Sequence, residues 1–160
     1  AQEFGTSSRI VEAVVEVNAS QKARMVSKVK ESLGGSVADK TIAVLGLTFK
    51  PQTDDMRDAP SLAILPPLMD RGAEIRAHDP QGMEEAKLEL PPGIHYADGI
   101  EDAVTGADAV VLLTEWNEYR GLDLARVKEL MNGDVFVDLR NVYEPEPMRA
   151  LGFQYSCVGR

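Results

Sequence analysis

The segment 107–113, with the sequence ADAVVLL, is the clearest strand in the chain and decides its fold class. A short apolar run without polar alternation is typical of a strand that is buried on both faces of a parallel sheet. The same pattern recurs at 41–45 (TIAVL) and at 135–138 (VFVD). Shorter or more polar strands are predicted at 74–78, 95–96 and 153–157.

Helical segments separate these strands. Apolar residues recur at steps of three and four from residue 9 to residue 33, and Gly34 and Gly35 supply the expected stop. Further helices are predicted at 60–71, within 81–93, and at 100–105, 124–131 and 147–151. Because strands and helices alternate with connections long enough for crossovers, the sequence predicts an α/β fold. It is a doubly wound, mostly parallel sheet of about six strands, covered by helices and preceded by a long connecting helix.

The composition bounds the class of protein. The chain has 160 residues, 44% of them hydrophobic and 27% charged, which is the balance of a soluble globular domain. The net charge of −9 repels phosphate backbones and argues against general nucleic-acid binding. No apolar run approaches the roughly 20 residues that a membrane span requires. A single cysteine forms neither an intramolecular disulfide nor a thiolate metal site, so we expect the cytoplasm as the location.

The sequence predicts three parts. Residues 1–8, AQEFGTSS, are small and polar, and they contain dipeptides that common restriction sites encode, so we interpret them as a cloning scar. Residues 9–35 form the connecting helix, and residues 36–160 form the α/β domain. A polar patch interrupts the apolar stripe of the helix. It marks either a surface position between two packing partners, or a face turned toward a ligand site or another domain; its residues are Asn18, Gln21 and Lys22.

Cationic side chains follow two of the predicted strands. Lys50 and Arg57 lie on the loop after strand 41–45, and Arg140 follows strand 135–138. In a doubly wound sheet, ligands bind beyond the carboxyl ends of the strands, where three cations would hold a diphosphate. Alternatively, the two loop cations pair with acidic side chains of their own loop. The loop is not a dinucleotide fingerprint, because only Gly46 stands where that motif needs three glycines. The acidic side chains in question are Asp54, Asp55 and Asp58.

Other chemically capable side chains are interpreted as structural. His78 and His95 lack the spacing of metal ligands, and Cys157 lies in the last strand as a small apolar residue. Asp79 directly follows strand 74–78 and is interpreted as a turn cap. Trp116 is interpreted as a residue packed beneath a loop.

Several motifs together resemble one dehydrogenase family. In order and spacing they are similar to the C-terminal domain of the UDP-glucose 6-dehydrogenases, within the UDP-glucose/GDP-mannose dehydrogenase family. The resemblance covers residues 9–160 and implies a Rossmann-like domain that binds a UDP-sugar. The motifs are VN at 17–18, GLTFKP at 46–51, TDDMR at 53–57, DP at 79–80, TEW at 114–116 and DLRN at 138–141.

The resemblance also implies a reaction and a set of site residues. Members of the family oxidise UDP-glucose to UDP-glucuronate in two NAD-dependent steps. An N-terminal domain binds most of the NAD, and the catalytic cysteine lies upstream of the region seen here, so Cys157 is not its equivalent. By position, Phe49, Lys50 and Arg140 match residues that contact the UDP-sugar, and Arg57 matches an arginine that closes over NAD.

The resemblance implies that this region is inactive on its own, with the N-terminal domain and further copies in a homo-oligomer as its partners. Three alternatives stay open. The first is the same domain of a dehydrogenase acting on UDP-N-acetylmannosamine or GDP-mannose. The second is a stand-alone nucleotide-binding module. The third is a mainly structural role, in which valines of the first helix mediate self-association; they are Val11, Val14 and Val15.

Overall fold

The structure, a computed structural model, describes residues 9–159; the predicted cloning scar at 1–8 lies outside this range. The chain begins with a long helix and then alternates strands and helices. The helices are α1 Arg9–Ser32, α2 Pro60–Asp70, α3 Met83–Glu89, α4 Ile100–Val104, α5 Asn117–Arg120, α6 Leu124–Leu130 and α7 Pro145–Ala150. The strands are β1 Thr41–Leu45, β2 Glu74–His78, β3 His95–Tyr96, β4 Ala109–Leu112, β5 Val135–Asp138 and β6 Gln154–Cys157.

The strands form one six-stranded sheet in the order β3-β2-β1-β4-β5-β6, and every neighbouring pair is parallel. The predicted doubly wound α/β fold is confirmed, with a sheet that is wholly rather than mostly parallel. The order reverses between β1 and β4, which are adjacent, with Ile42 opposite Ala109 and Leu45 opposite Leu112. In folds of this kind the crevice beyond the carboxyl ends of two such strands is the usual place for a ligand.

Apolar side chains cover both faces of the sheet. Alternate residues of β1 point to opposite faces, so Val44 joins one cluster and Leu45 the other. On the first face Val44 packs in a cluster with Ile64 of α2, and on the second Leu45 clusters with Phe136 of β5 and Val127 of α6. The removal of this apolar surface from water is the main stabilising contribution to such a fold.

Only the C-terminal half of α1 joins the core. Val26 and Val29 are buried in the same cluster as β1, whereas Ile10 is 80% exposed and Val15 is 63% exposed. The predicted division near residue 35 follows the boundary between α1 and β1 and stays a prediction. Within residues 9–159, no helix combines the length and the apolar character that a bilayer span requires.

Several helices and strands begin or end one residue from the predicted position, and three differences are larger. The strand predicted at 107–113 is shorter and spans Ala109–Leu112, and just before it the carboxylate of Asp108 accepts the N–H of Thr41 at 2.9 Å. The last helix begins two residues early at Pro145, since proline suits the first turn of a helix. The four-residue helix α5 has no predicted counterpart, because NEYR is too short to show a helical period.

Candidate functional site

A single glycine turns the chain at the end of β1. Gly46 has φ +92°, and its N–H donates to the carbonyl oxygen of His78 at 2.9 Å. A Cβ at this position would lie 2.5 Å from Cβ of Thr114 and 2.6 Å from its backbone nitrogen. Thr114 therefore packs directly against Gly46 and leaves no room for a side chain there. With Gly46 as the only glycine in the segment 46–51, the residues after β1 lack the dinucleotide-binding motif.

The carboxylate of Asp79 organises the loop after β1. Asp79 follows β2 directly and is 1% exposed. Its Oδ2 accepts from the backbone N–H of Leu47 at 2.7 Å and of Thr48 at 3.1 Å, and from the Thr48 hydroxyl at 3.1 Å. Its Oδ1 accepts from the N–H groups of Gln81 and Gly82 at 3.0 and 2.8 Å, so Asp79 does cap its own turn. The bonds to the loop after β1 were not predicted.

Trp116 joins a second loop to the same carboxylate. The ring of Trp116 is buried, as predicted, and its Nε1–H donates to Oδ2 of Asp79 at 3.3 Å. The hydroxyl of Thr114 donates to the carbonyl oxygen of Thr48 at 2.7 Å. The loops after β1 and β4 are therefore hydrogen-bonded to each other and to Asp79.

Arg140 follows β5 and is held at both its side chain and its backbone. Nε and Nη2 of Arg140 donate to the two carboxylate oxygens of Glu115, with Nη2 and Oε1 2.8 Å apart. The hydrogen bond from Arg140 lowers the pKa of Glu115. The backbone N–H of Arg140 donates to Oδ1 of the buried Asp138 at 3.0 Å. Oδ2 of Asp138 accepts from the N–H groups of Val142 and Tyr143, which shapes the turn that carries Arg140.

A cleft of about 1100 Å³ lies between α1, α2 and the loop after β1. Phe49, which is 47% exposed, and Arg140 both line this cleft. The polar patch of α1 lines it too, with Asn18, Gln21 and Lys22. This placement supports the second interpretation of the patch, that it faces a site, over a position between two packing partners.

Lys50 and Arg57 lie on the same loop but do not line the cleft. Arg57 donates through Nε and Nη2 to the carboxylate of Asp55 at 2.9 and 2.7 Å, and this interaction lowers the pKa of Asp55 to about 2. The side chain of Arg57 is 89% exposed and lines a separate acidic depression of about 750 Å³, together with Glu85 and Glu89. In the described part of the chain, Lys50 forms no ion pair.

The structure therefore brings two of the four predicted site residues to one cleft. Phe49 and Arg140 share it, Lys50 directly follows Phe49, and Arg57 lies at the neighbouring depression. The alternative in which the loop cations pair with their own acids holds for Arg57 and not for Lys50. The ligand contacts of all four residues stay predictions.

Two further residues shape the site, although the sequence analysis predicted no individual role for them beyond their membership of motifs. Glu115 orients the guanidinium of Arg140, and Asp138 orients its backbone. The sequence positions of Asp79 and Asp138, each at the end of a predicted strand, could have indicated such a role. Asp79 follows β2 and Asp138 ends β5, and a carboxylate at the end of a buried parallel strand meets the N–H groups of the loops there.

The histidines and the cysteine are used structurally. Nδ1 of the buried His78 lies 3.0 Å from the hydroxyl of Tyr119, which donates to the His78 carbonyl oxygen at 2.8 Å. His95 is exposed and its Nε2 lies 3.4 Å from Asp102. Cys157 is buried in β6. Among residues 9–159, no cluster of His, Cys, Asp and Glu side chains is suited to a metal ion.

We expect His78 to make stability depend on pH between 7 and 5. Burial lowers its pKa below the ordinary value of 6.5, an effect that the negative charges of Glu118 and Asp79 oppose. Below about pH 6.5 the imidazole therefore binds a proton in the unfolded chain that it does not bind in the folded chain. The free energy of unfolding should decrease as the pH is lowered through this range. Urea unfolding should show this slope, and His78→Asn should flatten it.

The control for this experiment is His95→Asn, at an exposed ring, which should keep most of the slope. The pKa values of Asp55, Asp102 and Glu115 are lowered, so these carboxylates act below about pH 4.5 and outside the window. An unchanged slope in H78N would contradict the assignment to His78.

Comparisons with known proteins agree with this geometry. Residues 43–145 match the sequence model of the UDP-glucose/GDP-mannose dehydrogenase family, UDP binding domain. A UDP-glucose 6-dehydrogenase of Rhizobium meliloti is 46% identical over 160 residues, which are 100% of this chain and 36% of that protein. UDP-glucose 6-dehydrogenase YwqF of Bacillus subtilis is 44% identical over 151 residues, which are 94% of this chain and 34% of that protein.

A solved structure is similar as well. The UDP-glucose dehydrogenase of Pyrobaculum islandicum is 30% identical and superimposes with a TM-score of 0.76, over 97% of this chain and 33% of that one. The chain thus spans about a third of the length of the relatives it matches. The matched range runs from β1 to the turn after Arg140 and includes both loops that Asp79 joins. The chain therefore belongs to the UDP-glucose/GDP-mannose dehydrogenase family, and residues 43–145 correspond to its UDP binding domain.

Proposed function

We propose that the chain is the UDP-sugar-binding domain of an NAD-dependent UDP-glucose 6-dehydrogenase, which oxidises UDP-glucose to UDP-glucuronate. The observation that carries this proposal is the cleft in which Phe49 and Arg140 meet the polar patch of α1. Relatives named UDP-glucose 6-dehydrogenase, at 46% and 44% identity, support the choice of substrate. Because the chain spans about a third of their length, catalysis is proposed for the longer protein only.

Arg140 is proposed to bind the diphosphate. Among residues 9–159, its guanidinium donates only to Glu115, through Nε and Nη2, which leaves the Nη1 N–H groups for ligand oxygens. A hydrogen bond between charged groups is roughly twice as strong as one between neutral groups, so the diphosphate is the natural anchor of the ligand. The half-exposed ring of Phe49 offers an apolar face for the uracil or the ribose, and Lys50 adds a compact positive charge.

Arg57 is proposed to contact NAD that is bound by the rest of the longer protein. Its side chain is 89% exposed, so it is accessible to a cofactor held outside this chain. The loop after β1 lacks the glycines of a dinucleotide-binding motif, and the buried Cys157 is not placed to act as a nucleophile. These features support the proposal that the chain alone does not oxidise the sugar.

The test assays the longer protein and the 160-residue chain in parallel. We expect NADH to form from UDP-glucose and NAD with the longer protein, and no NADH with the chain. Assays with UDP-N-acetylmannosamine and with GDP-mannose separate the alternatives within the family, since a clear preference for either sugar would reassign the substrate. A longer protein that oxidises none of the three would contradict the proposal and favour a nucleotide-binding module.

We also propose the cytoplasm as the location and a homo-oligomer as the state of the longer protein. The apolar stripe of α1 supports an assembly, because a row of exposed valines and isoleucine needs a cover from the rest of the protein or from another copy. Light scattering of the 160-residue chain should show self-association, and a monomer at high concentration would count against it. The stripe consists of Ile10, Val11, Val14, Val15 and Val17.

A further inference from the structure

Asp79 joins the loop after β1 to the loop after β4. Its Oδ2 binds the backbone of Leu47 and Thr48, directly before Phe49 and Lys50. The same Oδ2 also accepts from the indole Nε1–H of Trp116. Trp116 directly follows Glu115, which accepts hydrogen bonds from the guanidinium of Arg140. One buried carboxylate therefore connects the segment of the aromatic side chain to the segment that orients the arginine.

We propose that Asp79 is the positioning residue of the UDP site: it sets the backbone path of residues 47–50 and so places Phe49 and Lys50 relative to Arg140. The inference rests on the proposed function for the identity of the ligand. Asp79 itself lies beneath the loop, 1% exposed, and does not line the cleft. It acts through the loop rather than by touching the UDP-sugar.

The bonding of Thr48 shows why the loop path depends on this carboxylate. The N–H and the hydroxyl of Thr48 both reach Oδ2 of Asp79, and its carbonyl oxygen accepts from Thr114. The N–H and the carbonyl oxygen of Thr48 are therefore both held by hydrogen bonds, in the residue that directly precedes Phe49. The methyl group of Thr48 also lies against Gly82, where a Cβ would come within 2.2 Å of it.

The charge of Asp79 is balanced by hydrogen-bond donors alone. In the described part of the molecule it forms no ion pair, and backbone N–H groups, a hydroxyl and an indole surround its two oxygens. Neither Lys50 nor Arg140 therefore forms an ion pair with the Asp79 carboxylate. An amide in its place would turn an NH₂ group toward N–H donors on one side, which leaves those donors without an acceptor.

The experiment compares two variants at this bond network with a control of similar stability. Asp79→Asn removes an acceptor at nearly constant shape, and Thr48→Val removes only the hydroxyl, which serves if D79N does not fold. Val127→Ala lowers stability from α6, on the sheet face opposite α1 and α2, without touching the loop. UDP affinity is measured by calorimetry, and backbone and indole resonances by NMR, for each folded variant and the unaltered chain.

We expect D79N to bind UDP about tenfold more weakly, since small misplacements of positioned groups reduce function steeply. T48V should bind a few-fold more weakly, and V127A should bind as the unaltered chain does. Without UDP, D79N should shift the amide resonances of Phe49 and Lys50 and the indole resonance of Trp116. A merely structural role would lower stability in D79N and V127A alike and leave UDP affinity the same in both.

The calorimetry tests the proposed UDP-binding function, and the NMR spectra without UDP test the positioning role of Asp79 separately. If the unaltered chain binds no UDP, the proposed function is contradicted. The positioning role of Asp79 is then still tested by comparing the amide resonances of D79N and the unaltered chain without UDP. If D79N, or T48V in its place, leaves the amides of Phe49 and Lys50 unshifted, the positioning role is overturned whether or not UDP binds. UDP binding in D79N that equals the unaltered chain would overturn it too.

Discussion

Arg140→Gln is expected to weaken the binding of UDP to the chain by about 30- to 150-fold, or roughly 2–3 kcal/mol. The substitution removes the guanidinium that we propose for the diphosphate. It also leaves the carboxylate of Glu115, whose pKa the arginine lowers, unpaired in the site. Both effects act in the same direction, because an unpaired carboxylate repels a diphosphate. Calorimetric titration with UDP measures the change.

Two further variants locate the cause of this effect. Arg149→Gln makes the same change of charge at an exposed position outside the cleft and should leave UDP affinity nearly unchanged. The double variant R140Q/E115Q removes the repulsion as well as the attraction, so it should recover part of the loss. Equal UDP affinity in R140Q and the unaltered chain would remove Arg140 from the site.

Gly46→Ala is expected to lower the free energy of unfolding by about 2–5 kcal/mol. Part of the loss is backbone strain, since φ +92° disfavours any side chain, and part is overpacking. The new Cβ would lie 2.6 Å from the backbone nitrogen of Thr114, and a backbone atom cannot move aside as a flexible side chain can. Urea unfolding of both proteins gives the difference.

Gly106→Ala is the matched control for this substitution. Gly106 also has a positive φ, +73°, but a Cβ there meets no atom within 4 Å. It should therefore cost only the strain, about 1–2 kcal/mol. If both alanine variants lost the same stability, the close approach of Thr114 to Gly46 would not be what requires glycine.

The fold was predictable because its strands carry a local signal. Apart from Thr41 and Asp138, segments such as TIAVL and VFVD are apolar at every position, which is the pattern of a strand buried on both faces of a sheet. The wholly parallel order then follows from the helices between strands. The four residues of α5 were missed, since so short a helix has no period and depends on packing of the buried Tyr119.

The site was predictable only in part, because the spacing of residues along the chain does not show in which direction each side chain points. The sequence placed Lys50, Arg57 and Arg140 at one edge of the sheet, but Arg57 turns to Asp55, two residues before it. That ion pair depends on the path of the loop, in which the N–H of Phe49 donates to the carbonyl oxygen of Asp55 at 2.9 Å. The contribution of α1 to the cleft likewise depends on how the helix packs against α2.

The most direct measurement of the central claim is a crystal structure of the chain with UDP bound. We expect the diphosphate oxygens within hydrogen-bond distance of the Arg140 guanidinium, and the nucleoside between Phe49 and the polar patch of α1. UDP bound at another place, with the cleft empty and Arg140 engaged only with Glu115, would contradict the account.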